Sequence, residues 1–279
     1  MHRFQTPTGG ALVYDRIGDG GTRCVVFLHG LSNSSETYQR VISSLVADAN
    51  VERPLQILAI DLRGHGLSSH VPTNEYRAED FAGDIAALLV DERIGSATVV
   101  GHSLGGVVAM SLAVQHPAVV SALLLEDPPL FEGDDARRAA SPVASIFPKV
   151  VAAVRAMQDR GAPQGEFEAM VAEQPGAHDV TQRAVALQTW DPMTMQAAID
   201  GVVWNGFDPQ SRVTCPLTVL RADPAFGAVF SEADGEELLR HNPHAHIVAV
   251  TGAGHSIHSD AFDDYMSELR EFLATTRQE

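Results

Sequence analysis

The stretch Val99-Val100-Gly101-His102-Ser103-Leu104-Gly105-Gly106 decides the fold. Its first residues are apolar and β-branched, as in a strand, and from Leu104 to His116 the chain has the composition and spacing of a helix. A strand that turns abruptly into a helix around G-x-S-x-G is a nucleophile elbow. The turn strains the serine backbone, and side chains at positions 101 and 105 would collide with the neighbouring strand and helix as it tightens. Both positions therefore demand glycine. The geometry exposes Ser103 Oγ and sets the Leu104 N–H at a helix N-terminus, where it can donate to an anion developing on a carbonyl oxygen.

Outward from the elbow, short apolar runs alternate with amphipathic stretches: Cys24 to His29 then Glu36 to Ala49, Gln56 to Asp61 then Ala78 to Val90, Ala97 to Gly101 then the helix after Ser103. Such alternation predicts βα units feeding a parallel sheet, an α/β fold. The runs Cys-Val-Val-Phe-Leu, Ile-Leu-Ala-Ile and Thr-Val-Val are continuously apolar, which requires helices on both faces of the sheet. Arg3 to Thr6 and Ala11 to Arg16 predict an antiparallel lead-in hairpin turned at Thr8-Gly9-Gly10, so the sheet is mixed. A further strand, Ala122 to Leu125, runs into Glu126-Asp127-Pro128-Pro129, and there the alternation stops. From about Phe131 to Gly206 the chain reads as helices broken at Pro142, Gly161, Pro163, Pro175 and Pro192, a helical cap inserted into one α/β domain. Strand and helix then resume with Leu217 to Leu220, Glu232 to Arg240, His246 to Val250 and Ala261 to Thr275. The core domain is therefore assigned to 1–129 and 207–279, and the cap to 130–206.

Composition narrows the function. The 279 residues are 45% hydrophobic and 20% charged, the profile of a globular protein. Asp plus Glu number 36 against 19 Lys plus Arg, a formal charge of -17, and such a field repels phosphate backbones and anionic headgroups. Nucleic-acid and membrane-surface partners are thereby disfavoured, leaving a small-molecule substrate; the oligomeric state is not specified. The two cysteines, Cys24 and Cys215, lie in strand-like runs without disulfide or metal-ligand spacing, and both read as buried thiols of a reducing, cytoplasmic setting. No window approaches the roughly 18 apolar residues of a transmembrane helix. His241, His244 and His246 cluster without a cysteine or carboxylate at ligand spacing and read as surface residues, so no metal is expected. No dinucleotide fingerprint is present, so no cofactor is expected either.

Two further segments carry chemistry. Val26-Phe27-Leu28-His29-Gly30-Leu31-Ser32 is a strand ending in His-Gly, where the glycine lets the Leu31 N–H point at the same oxygen as the Leu104 N–H. His29 itself packs beneath the loop. Gly252-Ala253-Gly254-His255-Ser256-Ile257-His258 follows the last strand and offers His255 as general base, since an imidazole of ordinary pKa near 6.5 can take and return a proton near neutrality.

Taken together, HGL, DLRGHGLSS (Asp61 to Ser69), GHSLGG and GAGHSIH resemble the α/β-hydrolase fold superfamily over nearly the whole chain. That resemblance implies an eight-stranded, mostly parallel sheet with an inserted cap, Ser103 as nucleophile, His255 as base, and Leu31 and Leu104 as the oxyanion hole. Arg63 and His65 then brace the loop after their strand. Three carboxylates are candidates for the third triad member. Many relatives place it in G-x-x-D after the penultimate strand, where this chain has Leu220-Arg221-Ala222-Asp223-Pro224 without the glycine. The surrounding segment is more similar to haloalkane dehalogenases, which carry the acid after the strand preceding the cap, and zearalenone-type lactone hydrolases share that arrangement with a serine nucleophile. Counting from the elbow favours Asp127 there; Asp223 and Glu126 stay as alternatives. Each would orient the imidazole and stabilise the imidazolium. Trp190 and Met193, at a break between cap helices, are the candidates for a substrate pocket over Ser103. The resulting expectation is a cofactor-independent serine hydrolase that cleaves an ester or lactone of a small, largely apolar molecule through an acyl-enzyme. Amide or carbon–carbon bond hydrolysis on the same triad, perhydrolase chemistry, a cofactor-free oxygenase and a non-catalytic small-molecule receptor are the alternatives.

Overall fold

The structure is a computed structural model that describes residues 1–18, 23–48, 55–174 and 177–276. Its strands are β1 (His2–Gln5), β2 (Ala11–Ile17), β3 (Arg23–Leu28), β4 (Leu55–Asp61), β5 (Ala97–His102), β6 (Val120–Glu126), β7 (Leu217–Arg221) and β8 (His246–Ala249). They form one sheet in the order β1-β2-β4-β3-β5-β6-β7-β8. The β1–β2 and β2–β4 pairs are antiparallel and every other pair is parallel, so the sheet is mostly parallel with an antiparallel lead-in.

The helices are α1 (Gln39–Ala47), α2 (Ala78–Asp91), α3 (Leu104–Gln115), α4 (Asp135–Ala140), α5 (Pro142–Ser145), α6 (Phe147–Asp159), α7 (Gln164–Ala172), α8 (Val180–Thr189), α9 (Met193–Ile199), α10 (Glu232–His241), α11 (Ile257–Asp260) and α12 (Phe262–Thr275). The continuously apolar strands are explained by two cores. Val26, Leu28, Leu123 and Leu125 face one core with residues of α2, α3 and α10. Val25, Phe27, Ala122 and Leu124 face the other with residues of α1 and α12. α3 follows the elbow and is buried from Leu104 to Ala113, a helix covered on all sides. Between β6 and β7 come α4 to α9, whose Val154, Phe167, Val171, Leu187 and Trp190 form a third apolar cluster of their own.

Registry brings the loops together. Gly101 pairs with Leu28 on one side and Leu125 on the other, and His102 pairs with Glu126. β3, β5 and β6 therefore end side by side, and the residues after each meet at the carboxyl edge of the sheet, where open α/β sheets place their ligands.

Three details differ from the sequence reading. The helix expected from Glu36 begins as a 3-10 turn, Ser35–Tyr38, before α1, and Ala49 and Pro175 lie outside the described residues. The expected terminal helix, Ala261 to Thr275, is α12, and a short helix that the sequence reading did not include, α11, precedes it. Cys24 is buried in β3, but Cys215 precedes β7 and is only half-buried. Burial raises both thiols, to about 12 and about 11 respectively.

The elbow glycines are held by backbone. A Cβ at Gly105 would lie 2.1 Å from the Leu28 carbonyl oxygen, and one at Gly101 would lie 2.3 Å from the Gly105 carbonyl oxygen. Gly83 in α2 has nothing within 4 Å of its Cβ position. Gly105→Ala is therefore expected to cost at least about 3 kcal/mol, because a paired strand cannot retreat. Gly83→Ala should stabilise by about 0.5–1 kcal/mol through helix propensity. Thermal melting of the two variants checks both, and equal effects would sink the steric account.

Candidate active site

Ser103 occupies φ +51°, ψ -116°, a conformation an L-residue holds only under constraint. Its N–H donates to the Glu126 carbonyl at 2.9 Å, which ties the elbow to the end of β6. One residue on, Asp127 also has positive φ, +41°. These two strained backbones aim their side chains at His255. Ser103 Oγ lies 2.9 Å from His255 Nε2, and His255 Nδ1 lies 2.7 Å from Asp127 Oδ2.

Asp127 is fully buried, and its remaining acceptor capacity goes to backbone. Val229 N–H donates to Oδ2 at 2.9 Å; Phe230 and Ala222 N–H groups reach Oδ1 at 3.1 and 3.4 Å. These donors satisfy a carboxylate that burial removes from solvent. Of the three carboxylates considered from sequence, the structure places Asp127 against the imidazole. Asp223 instead accepts the N–H groups of Ala225 and Gly252, both at 2.9 Å, and these bonds hold its carboxyl below the usual carboxylate range. It braces the loop that carries His255. Glu126 turns to the opposite face of the sheet and binds His258: Oε1 accepts its N–H at 2.9 Å and its Nδ1–H at 2.8 Å.

The Glu126–His258 pair is buried on both sides. Burial alone would discharge each group, but the two charges oppose it, holding Glu126 below and His258 above their ordinary values. His258 Nε2 meets Thr37 Oγ1 at 3.0 Å, and the rings of Tyr38, His102 and Tyr265 surround it. Standing one helical turn after His255, His258 anchors the same loop to the end of β6. Sequence reasoning treated Glu126 as a rival acid and missed this role; the i, i+3 spacing of the two histidines was the available signal.

The loop after β3 is fixed by two neutral histidines. His29 Nδ1–H donates to the Gly30 carbonyl at 2.8 Å while Nε2 accepts the Leu62 N–H at 3.1 Å. His65 Nδ1–H donates to the Arg63 carbonyl at 2.9 Å while Nε2 accepts the Ser32 N–H at 3.3 Å. Each ring thus has one fixed tautomer. Burial depresses both pKa values, as neutrality requires. Arg63 pairs with Asp84 at 2.7 Å inside the core. Leu31 borders the cavity over Ser103, and Leu104 opens α3, so its N–H has no partner within the helix. Gly30 is required because a Cβ would lie 2.7 Å from His102 Nδ1. His102 Nε2–H in turn donates to the His255 carbonyl at 2.9 Å, and burial lowers its pKa to about 3.

A cavity of about 900 Å³ opens above Ser103 and His255. Leu31, Phe147, Val150, Leu187 and Met195 give it apolar walls, and Ile146 and Phe226 are exposed where they border it. Trp190 and Met193, expected here, do not line it. Trp190 is fully buried among the helices between β6 and β7, with its indole N–H on Thr194 Oγ1 at 2.6 Å, and Met193 packs on the core below. The break at Trp190-Asp191-Pro192-Met193 faces inward because Asp191 accepts the Tyr76 hydroxyl, at 2.6 Å, and the Met193 N–H. Met195, two residues on, reaches the cavity instead. Among the described residues no group of three metal-ligating side chains converges, and His244 and His246 are exposed.

A serine, a histidine and a buried carboxylate in line at the carboxyl edge of a mostly parallel sheet define the α/β-hydrolase class. Residues 25–268 match the alpha/beta hydrolase family, and the chain belongs to it and is a hydrolase. It is 27% identical to the sn-1-specific diacylglycerol lipase ABHD11 of Mus musculus, over 92% of this chain and 83% of the relative. It is 26% identical to the 2-(acetamidomethylene)succinate hydrolase of Mesorhizobium japonicum, over 91% and 89%. A solved marine microorganism esterase shares the fold with a TM-score of 0.76 at 22% identity, over 94% and 98%.

The buried pair behind the site has a distinctive signature. Removing one partner of a buried ion pair costs about 3–5 kcal/mol. In wild type, raised His258 adds stability that is complete below about pH 6.5 and fades as pH climbs through its folded value. In Glu126→Gln the buried imidazole loses its counter-charge and turns neutral, so protonation in the unfolded chain penalises folding at low pH. The melting deficit of Glu126→Gln is therefore expected to widen from about pH 8 to about pH 5. A deficit independent of pH would show that the pair is not ionised.

Proposed function

We propose that this hydrolase cleaves a carboxylic ester or lactone of a small, largely apolar molecule through an acyl-enzyme. The observation that carries the reading is the continuous chain Asp127–His255–Ser103, with contacts of 2.7 and 2.9 Å. As Ser103 Oγ attacks the substrate carbonyl carbon, its proton passes to His255 Nε2, and the carbonyl oxygen becomes an anion facing the Leu31 and Leu104 N–H groups. Asp127 holds the imidazole by Nδ1–H and stabilises the imidazolium. The imidazolium returns the proton to the departing alkoxide. Water, deprotonated by the same imidazole, then attacks the acyl carbon and releases the acid and free Ser103.

The apolar walls support an apolar body around the scissile bond. The named relatives act on dissimilar molecules, diacylglycerol in one case and 2-(acetamidomethylene)succinate in the other, so their names agree on hydrolysis rather than on a substrate. We assign 130–206 as a cap over the core domain of 1–129 and 207–279, on the strength of its separate apolar cluster and of Phe147, Leu187 and Met195 in the cavity wall. The reaction calls on no cofactor or metal. The -17 charge and the two free thiols support a small-molecule enzyme of the cytoplasm, without nucleic-acid or membrane partners.

A fluorophosphonate probe is expected to label wild type at Ser103, and Ser103→Ala should lose at least about 10³-fold in turnover of short 4-nitrophenyl esters. Asp127→Asn should lose about 10²- to 10⁴-fold, whereas Asp223→Asn should lose far less. Retention of turnover in Ser103→Ala would overturn acyl transfer and bring forward an oxygenase; absence of both labelling and turnover would bring forward a receptor.

A further inference from the structure

The cavity above Ser103 contains a cation that the proposed chemistry does not use. Arg183 lies in α8 one turn before Leu187, and both side chains line the cavity. Its guanidinium donates to Gln174 Oε1 at 2.7 Å, and among the described residues it has no other side-chain acceptor and no carboxylate within ion-pair distance. By contrast, Arg63, Arg77, Arg137, Arg138, Arg160 and Arg270 each meet a carboxylate. Partial burial weighs on the Arg183 charge and pulls its pKa down, with only the field of Asp179 opposing.

Asp260, the single carboxylate among the described residues that line the cavity, is engaged elsewhere. Its Oδ1 lies 2.6 Å from His178 and its Oδ2 accepts the Gly254 N–H at 2.8 Å. A guanidinium presents five donors in a planar fork that matches a carboxylate. Gln174 occupies one of them, and Arg183 lines the cavity.

We propose that the substrate carries a free carboxylate, which Arg183 binds while the apolar walls hold the chain between it and the scissile carbonyl at Ser103. This rests on Ser103 being the acyl-transfer residue and adds the substrate class: a half-ester or lactone-acid of an otherwise apolar molecule. One guanidinium balances one negative charge, which fits a monoanionic carboxylate better than a dianionic phosphate. Long-range attraction is no substitute for this contact, since a protein of charge -17 repels anions until they reach a local cation.

The test compares mono-4-nitrophenyl adipate and suberate with their methyl 4-nitrophenyl esters, which are neutral and larger by one methyl group. Chains of this length avoid the rapid anhydride closure of shorter half-esters. The readout is the ratio of kcat/KM for the acid to that for its methyl ester, in which any general loss from imperfect packing cancels. Wild type should favour the acid, and Arg183→Met should lower the ratio about ten- to hundredfold, with partial recovery in Arg183→Lys. A ratio that Arg183→Met leaves unchanged would overturn the proposal and return Arg183 to a purely structural contact with Gln174.

Binding separates this result from failure of the acyl-transfer reading. In the Ser103→Ala background, calorimetry with adipic acid monoamide against adipamide should show a preference for the acid that Arg183→Met abolishes. That preference together with no labelling of wild type by fluorophosphonate would keep the anion site and discard acyl transfer. Ser103-dependent turnover of neutral esters with no preference for the acid in either assay would discard the anion site alone.

Discussion

The close approach of two backbones at the elbow is the constraint on which the site depends. Gly105 lies against the Leu28 carbonyl, and Gly101 against Gly105, with no room for a methyl group at either. This contact seats α3 directly on β3 and β5. Only with the helix so close does the Ser103 backbone enter its strained conformation, and only then does the serine stand clear of the sheet. The strain is opposed by burial on every side of α3 and by the Ser103 N–H bond to Glu126. A well-packed core thus supports one residue that local energetics disfavour.

The same logic explains why Asp127 is the carboxylate that meets His255. β6 ends beside β5 in register, so the residue after Glu126 emerges next to the residue after His102. Alternation along the strand sends Glu126 and Asp127 to different surroundings, and the positive φ at Asp127 completes the separation. Counting from the elbow leads to this position because registry between parallel neighbours is fixed by the apolar pattern; that Asp127 serves as the triad acid belongs to the proposed mechanism. Asp223 resembled an acid site in sequence because it follows a strand too. Its side chain instead closes a turn onto Pro224-Ala225 and reaches Gly252, consistent with the turn-forming preference of an aspartate before proline.

What the sequence made legible was governed by local rules, and what it hid was governed by packing between distant segments. Strands β3 to β6, the elbow and the run of helices after Pro129 follow from periodicity and the placement of glycine and proline. The cavity wall does not. Trp190 looked accessible at a helix break, but buried hydrogen bonds of Asp191 and Thr194 turn that break into the protein. Val180, Ala184 and Leu187 give α8 an inward face, but nothing in its sequence places Arg183 at the cavity. Its position depends on α7 packing against α8, which brings Gln174 to it.

Five histidines crowd the carboxyl edge of the sheet, and their partners divide the roles. His29 and His65 each lie between a carbonyl and a backbone N–H, so moving a proton would break a bond at both nitrogens. His102 donates to a carbonyl and is too buried to accept a second proton. His258 is held charged by Glu126. His255 and His258 each face a hydroxyl on one nitrogen and a carboxylate on the other, but His258 is buried, whereas about a third of the His255 side chain remains exposed and borders the cavity. A hydroxyl can give up its proton to the lone pair it meets, and the carboxylate gains rather than loses an interaction when the ring becomes charged. The other four fix the backbone around this exchange: His29 and His65 hold the loop of Leu31, while His102 and His258 hold the loop of His255. Their rigidity is what allows one imidazole to change its charge without the site changing its shape.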